Sequence, residues 1–208
     1  MTMNGAISHG DGASKPSDLS IGCESSNGTI KLRRATKDDF DWMIALRNQT
    51  SVRQWFFDPR IIDSAAGRKW LAVRANSNDD TVLVICHKAT NCRVGTLGWI
   101  CANPDEGIYE TGRLALDSAA LRTLRKAGVP REVLDRMAID ACYTLRDYIF
   151  GSMKASVIRT EYKAGNVLAA KINAEVGLLQ MDVGSDGRIV CQITRSRWQE
   201  LLKPANIR

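Results

Sequence analysis

The stretch Asn166-Val-Leu-Ala-Ala-Lys-Ile-Asn-Ala-Glu-Val-Gly-Leu178 decides how the rest of this 208-residue chain is read. An asparagine opens it, and asparagine caps helix starts by accepting a hydrogen bond from a first-turn N–H. Ala169, Ala170, Ile172 and Val176 follow at helical spacing. Gly177 supplies the residue type on which helices stop, and Leu178 begins a new apolar run. The stretch predicts a short amphipathic helix with a strand behind it.

Working outward, two closing strands are expected near Leu179–Val183 and Ile189–Thr194, split by the turn Gly184-Ser-Asp-Gly187. Before the stretch, a strand is expected over Lys154–Ile158. The longest helix precedes it. Pro130 opens that helix, Gly151 ends it, and Val133, Leu134, Met137, Ala138, Ala141, Cys142, Leu145 and Ile149 form its apolar face. Further upstream, Thr81–Cys86 and Arg93–Ile100 read as a hairpin, and a third strand runs from Ile108 to Leu116. Ile30–Ala35 alternates as a strand. Asp38 or Asp39 then caps a helix bearing Phe40, Met43, Ile44 and Leu46, and Val52–Phe57 is a short second piece. Ser64 is expected to cap a helix through Leu71 and Val73. Residues 1–28 are rich in Gly, Ser, Asp and Asn without periodicity and read as a disordered tail. One domain is expected over residues 29–208.

Apolar content of 44% and charged content of 25% are those of an ordinary soluble domain. There is no run of 18 apolar residues to span a membrane and no charged-then-apolar leader. The six cysteines include no Cys-x-x-Cys pair, and the only histidines are His9 and His87, so no zinc site is expected. Free thiols in a reducing cytoplasm are the plain reading. The net charge of +6 suggests an anionic partner. The densest basic group, Arg122, Arg125, Lys126 and Arg131, spans ten residues, which suits a phosphorylated small molecule as well as a duplex. Nucleic acid is the weaker reading.

The Asn166 stretch also resembles the last signature of the GCN5-related N-acetyltransferases (GNATs): Asn-x-x-Ala, a helix, then Gly-Phe or Gly-Leu. Gly112-Arg-Leu-Ala-Leu-Asp117 resembles the end of the central strand in the branch that acetylates ribosomal-protein N-termini and amino sugars. Arg125-Lys-Ala-Gly128-Val-Pro130 stands where the family has Arg/Gln-x-x-Gly-x-Gly/Ala. The resemblance covers roughly residues 29–197. It implies an α/β (α+β) fold, with a mixed, mostly antiparallel sheet of six to seven strands and about four flanking helices. It further implies acetyl-CoA as cosubstrate, a primary amine as acceptor and no metal. A homodimer is compatible with it.

Site residues follow from the resemblance position by position. Backbone N–H groups of Leu114, Ala115 and Leu116 would polarise the thioester carbonyl. Arg122, Arg125, Lys126, Ala127, Gly128 and Val129 would form a loop cradling pyrophosphate at a helix start, with a capped helix and a solvated basic loop as the alternative. Asn166 would hold the pantetheine arm or the helix start. Asn173 stands where many members carry a tyrosine that protonates the leaving thiolate; an amide can only hydrogen-bond sulfur. Pro130 replaces the last loop glycine and removes one donor.

Glu110, on the strand beside the thioester, is the first candidate for general base, against a surface pairing with Arg113 or similar. Glu161 matches a family position that is more often structural, and Asp117 is expected to cap a turn. The segment Leu46-Arg-Asn-Gln-Thr-Ser-Val-Arg-Gln-Trp-Phe-Phe57 resembles the region bordering the acceptor pocket in the amino-sugar branch. Arg47, Asn48, Arg53 and Trp55 would there bind a nucleotide diphosphate and stack its base; the alternative is a packed aromatic core with solvated arginines. The acceptor expected is a nucleotide-linked amino sugar. Protein N-terminal or antibiotic-amine acetylation is the rival on the same fold. A non-catalytic acyl-CoA- or nucleic-acid-binding module is the rival of another class.

Overall fold

The computed structural model describes residues 20–203. Its strands are β1 (Ser20–Glu24), β2 (Ile30–Arg34), β3 (Asp80–His87), β4 (Cys92–Asn103), β5 (Ile108–Leu116), β6 (Val157–Lys163), β7 (Leu179–Val183) and β8 (Arg188–Thr194). Its helices are α1 (Phe40–Asn48), α2 (Thr50–Arg53), α3 (Ser64–Ala75), α4 (Ser118–Lys126), α5 (Arg131–Gly151), α6 (Val167–Glu175) and α7 (Arg195–Leu202). The strands form one sheet in the order β1-β2-β3-β4-β5-β6-β8-β7. Each neighbouring pair is antiparallel except β5–β6, which is parallel.

The middle of the sheet, around β3, is buried on both faces. On one face, Phe40, Met43 and Ile44 of α1 and Leu71 of α3 pack on Val82, Val84 and Cys86 of β3. On the other, α5 lays Leu134, Met137, Ala141, Leu145 and Ile149 against Leu83, Ile85, Leu97, Trp99 and Ile158, joined by Ile172 and Val176 of α6. The apolar face of α5 is the one its sequence spacing predicts. Alternation along β3 sends Leu83 and Ile85 to one side and Val82 and Val84 to the other, as strand periodicity requires.

Several expectations are corrected. The described sheet has eight strands and seven α-helices, against six to seven strands and about four helices. The added strand β1 lies inside the stretch expected as a tail. It pairs with β2, and Asn27 donates from its amide to Asp140 on α5 at 2.7 Å, so order begins by Ser20 rather than at Thr29. Residues 1–19 lie outside the described residues. The strand expected over Lys154–Ile158 is β6, displaced to Val157–Lys163. The cap of α3 is Asp63, which accepts from the Ala66 N–H at 2.9 Å, rather than Ser64.

The largest correction is α4. A loop is expected over residues 122–129 and Asp117 as the cap of a turn, yet Asp117 caps a nine-residue helix by accepting from Ala119 and Ala120 N–H groups. Gly128 then ends it. With φ at +90°, Gly128 donates to the Arg125 carbonyl, and Val129 reaches back to the Leu124 carbonyl, which is the Schellman pattern. Helix α6 ends the same way on Gly177, as its sequence predicts, with Leu178 N–H bonded to the Asn173 carbonyl at 2.9 Å.

The entry to α1 is fixed by Asp39. Its carboxylate is 1% exposed and takes two hydrogen bonds from Arg33, at 2.6 and 2.8 Å, and one from the Thr36 N–H at 2.8 Å. Burial works to raise the Asp39 pKa, but Arg33 and the Thr36 donors outweigh it and hold the carboxyl well below the usual carboxylate range. A depressed native pKa adds stability above the unfolded value of about 3.9, and that stability fades as pH falls towards the native pKa. Asp39→Asn should cost about 2 kcal/mol at pH 7, the scale of charged hydrogen bonds. Urea unfolding should show the gap to the parent narrowing between about pH 4 and pH 2. In the same assay Gly128→Ala should cost about 1–2 kcal/mol, the left-handed backbone penalty alone, because an added Cβ meets nothing within 4 Å. Gly177→Ala should cost a similar amount, since the atom its Cβ would meet is the tip of the exposed Leu201 side chain, which can move aside.

Candidate active site

The parallel β5–β6 pair holds for four residues only, from Ile108 opposite Val157 to Thr111 opposite Thr160. Beyond that both strands continue, each paired on its outer side: β5 to β4 as far as Leu116, and β6 to β8 as far as Lys163. The strands therefore part. The parting coincides with a bulge. Between the pairs Thr96–Ala115 and Gly98–Gly112, β4 supplies one residue and β5 supplies two, Arg113 and Leu114. Arg113 sits at φ +59°, and the Thr96 hydroxyl donates to its carbonyl at 3.0 Å. The Arg113 side chain leaves the cleft for Asp80 at 2.5 Å and the Thr81 carbonyl at 3.1 Å.

A cavity of about 750 Å³ fills the opening. Leu114, Ala115 and Leu116 form one wall and Thr160, Glu161 and Tyr162 the other. Helix α5 adds Ala138, Cys142, Leu145 and Arg146, and α6 adds Asn166, Val167, Leu168, Ile172 and Asn173. Trp55, Phe56 and Phe57 line it from the segment after α2. Of the expected site residues, the structure thus gathers Leu114, Ala115, Leu116, Asn166, Asn173 and Trp55 around one space. The Asn166 side chain accepts from the Ala169 N–H at 3.1 Å, so it caps α6 while lining the cavity. Arg146 is buried, donates to the Val176 carbonyl at 2.7 Å, and pairs with Asp147, which fixes the C-terminal end of α6. Burial pushes the Cys142 thiol up to about 12, so it stays protonated.

The remaining expected residues lie elsewhere. Arg122, Arg125, Lys126, Ala127, Gly128 and Val129 do not line the cavity. They belong to α4 and its stop, and the N–H groups of Gly128 and Val129 are spent on closing that helix. Neither of those two donors is free to face a phosphate in this structure. The first turn of α5 is a better candidate, since its N-cap, Pro130, makes no side-chain cap bond. Glu110 is exposed on the paired part of β5, between Ile100 and Arg159, and does not line the cavity.

Arg47 donates to the Asp58 carbonyl at 2.5 Å and lies over the Phe56 ring, and Arg53 donates to the Pro59 carbonyl at 3.0 Å. Asn48 exchanges two bonds with the Ile62 backbone, at 2.9 and 2.8 Å. These three side chains staple the segment that carries Trp55 and Phe57; they do not line the cavity. Arg47 Nη1 and Arg53 Nε are nevertheless buried without a partner. Burial lowers the Arg47 pKa, and the nearby Arg53 charge adds to the effect.

Sequence reasoning missed Phe57 and Thr111 as lining residues and gave Glu161 a structural role. The signal for Glu161 was its parity on β6, opposite to the apolar residues Ile158 and Tyr162. Among the described residues no group of three or more His, Cys, Asp or Glu side chains could hold a metal ion. No described helix is long and apolar enough to cross a membrane.

No protein-family model and no curated protein sequence matches the chain. Solved structures do resemble it. FdhC, a nucleotide-linked sugar GNAT, superposes with a TM-score of 0.67 at 14% identity, over 86% of this chain and 92% of its own. An aminoglycoside acetyltransferase in complex with coenzyme A gives 0.65 at 14% identity, over 84% of this chain and 100% of its own. A spermidine N-acetyltransferase from Vibrio cholerae gives 0.64 at 15% identity, over 84% and 99%. The order of elements, the single parallel pair that splays, the bulge beside the split and these superpositions agree: the chain has the GCN5-related N-acetyltransferase fold.

Proposed function

We propose that the protein is an acyl-CoA-dependent N-acyltransferase that moves acetyl from acetyl-CoA to the primary amine of a small molecule. The observation that carries this reading is the split between β5 and β6. Past Thr111 the inner edge of β5 has no strand partner and faces a cavity, so it can receive an extended ligand that carries amides of its own. The pantetheine arm of coenzyme A is such a ligand. Backbone N–H groups of Leu114–Leu116 would then polarise the thioester carbonyl. The uncapped first turn of α5, with the exposed Arg125 and Lys126 nearby in sequence, would take the pyrophosphate.

A thiol is a far better leaving group than an alcohol, free cysteine having a pKa near 8.5, so it departs near neutral pH without a strong acid. Asn173 lines the cavity and would hydrogen-bond the departing sulfur. The harder requirement is an uncharged amine. An α-amine, at about 7.7–8.0, is partly neutral, whereas a lysine-type amine near 10.4 needs a base.

For the acceptor, we favour a nucleotide-linked amino sugar. Trp55 and Phe57 are exposed on the cavity wall and offer a stacking surface for a base. Arg47 and Arg53 each keep an unspent donor directly behind that segment. Likeness of fold to a nucleotide-linked sugar GNAT points the same way. An aminoglycoside or polyamine would call for several carboxylates, and Glu161 is the one carboxylate that lines the cavity among the described residues.

Calorimetry should show acetyl-CoA binding to the protein. A thiol-release assay should show turnover with nucleotide-linked amino sugars above spermidine or aminoglycosides. Absence of acyl-CoA binding would overturn the reading. Asn173→Tyr should raise kcat, by roughly tenfold or less, if protonation of sulfur limits the rate. An unchanged rate from pH 6 to 9 would show that this position does not serve the leaving group.

A further inference from the structure

Among the described residues three non-glycines sit at positive φ, and Arg113 is the one of them inside a strand. A left-handed residue in a bulge is ordinarily glycine, which has no Cβ to strain the backbone. Glycine stands next door at Gly112, yet the chain places an arginine at the left-handed position. The contacts of the Arg113 side chain must offset that strain.

Those contacts lie on the α3 side of the sheet. The guanidinium meets Asp80 of β3 at 2.5 Å, donates to the Thr81 carbonyl at 3.1 Å and lies 5.0 Å from the Trp70 ring of α3. To reach β3 it crosses β4, where Gly98 leaves that carbonyl open: a Cβ at Gly98 would lie 2.2 Å from the same Thr81 oxygen. Asp80 is held in turn by Arg74 at 2.8 Å, and Arg74 lies over Trp70 at 4.0 Å. The far end of this brace is therefore anchored on β3 and α3. Asp80, Arg74 and Trp70 do not line the cavity.

The near end is fixed as well. The Thr96 hydroxyl, on a buried residue, donates to the Arg113 carbonyl at 3.0 Å. In a planar trans peptide the C=O of one residue and the N–H of the next point in opposite directions. With the Arg113 carbonyl turned to Thr96 on β4, the Leu114 N–H turns away from β4, towards the edge that β6 has left. Leu114 lines the cavity at that edge.

We propose that the Asp80–Arg113 ion pair, backed by Trp70 and Arg74, positions the Leu114 N–H against the thioester carbonyl, which makes Arg113 and Asp80 positioning residues that act from outside the cleft. This rests on the N-acyltransferase reading. The brace holds the backbone angles of residue 113, and with them the direction of one donor. Such a donor stabilises a developing oxyanion only when aimed at it from about 2.7–3.1 Å, so a small rotation of this peptide is enough to weaken it. The effect belongs to the acyl carbonyl, which acetyl-CoA has and CoA lacks.

Arg113→Gly tests this, because glycine keeps the left-handed backbone and removes the brace. In the parent, the infrared carbonyl stretch of bound acetyl-CoA should lie below that of free acetyl-CoA. In Arg113→Gly the stretch should return towards the free value, while affinity for CoA stays within about twofold. Thiol release with a nucleotide-linked amino sugar should show kcat falling by roughly ten- to a hundredfold, less than the 10²–10³-fold typical of deleting such a donor outright. Asp80→Asn cuts the brace at its other end and should move the stretch the same way. Arg113→Lys keeps a charge opposite Asp80 and should recover part of both losses. A purely structural ion pair would shift the urea midpoint in these variants and leave the carbonyl stretch in place; that result overturns the inference while the acyltransferase reading stands. So does a parent that binds acetyl-CoA without lowering its carbonyl stretch. A parent that binds no acetyl-CoA overturns both. If Arg113→Gly fails to fold, the stretch in Asp80→Asn decides alone.

Discussion

The structure turns on a short parallel pairing. β5 and β6 share four residue pairs and then separate, although each remains a strand because its outer neighbour holds it. A buried backbone group left without a partner costs about 1–3 kcal/mol. An edge opened inside a sheet is therefore stable only where water or a ligand can reach it. The cavity provides that access, and helices α5 and α6 wall it with mostly apolar side chains. An extended ligand bearing amides restores the missing hydrogen bonds and buries apolar surface in the same step. The split is thus the opening in the sheet at which we propose that an acyl-pantetheine arm binds.

On the opposite face the chain spends its charges on shaping a wall. Arg47, Asn48 and Arg53 look like ligand-binding residues in the sequence, but each bonds the backbone between Asp58 and Ile62. A five-residue stretch with few bonds of its own gains fixed geometry from three side chains. Trp55 and Phe57, which read as core residues in one view of the sequence, are left exposed at the cavity. Roles were exchanged between the polar and aromatic halves of one segment. Sequence alone could not show this, because the partners are main-chain carbonyls that any residues would supply.

What was legible follows the strength of local signals. The spacing of Leu134, Met137, Ala141, Leu145 and Ile149 specified α5 and its buried face, and Asn166 with Gly177 specified both ends of α6. Helix α4 was missed although Asp117 caps it and Gly128 stops it, because only Leu121 and Leu124 give it an apolar stripe and Leu124 alone is buried. Strand β1 escaped notice because its five residues have no period of their own and depend on β2 for pairing. The two glutamates show the limit most directly. Parity predicts which face of a strand a side chain takes, but not whether a neighbouring strand or an opening lies beside it. Glu110 precedes the point of separation and Glu161 follows it, and that point is set by tertiary pairing.

The position of the split is in turn held from outside the cleft. A non-glycine residue at φ +59° carries a backbone penalty of roughly 1–2 kcal/mol. Arg113 bears it, and its side chain crosses to Asp80, which also binds Arg74 at 2.8 Å. Trp70 of α3 lies against both guanidinium groups, at 4.0 Å from Arg74 and 5.0 Å from Arg113. Burial lowers the Arg113 pKa while Asp80 opposes that, so the ion pair is what keeps the charge tolerable in its half-buried place. Were Arg113 free to relax, the extra residue could migrate along β5, and the one-residue slip would turn Leu114 and Leu116 away from the core they pack on. The register of the backbone proposed to face the thioester therefore depends on an ion pair and an indole ring on the far side of the sheet.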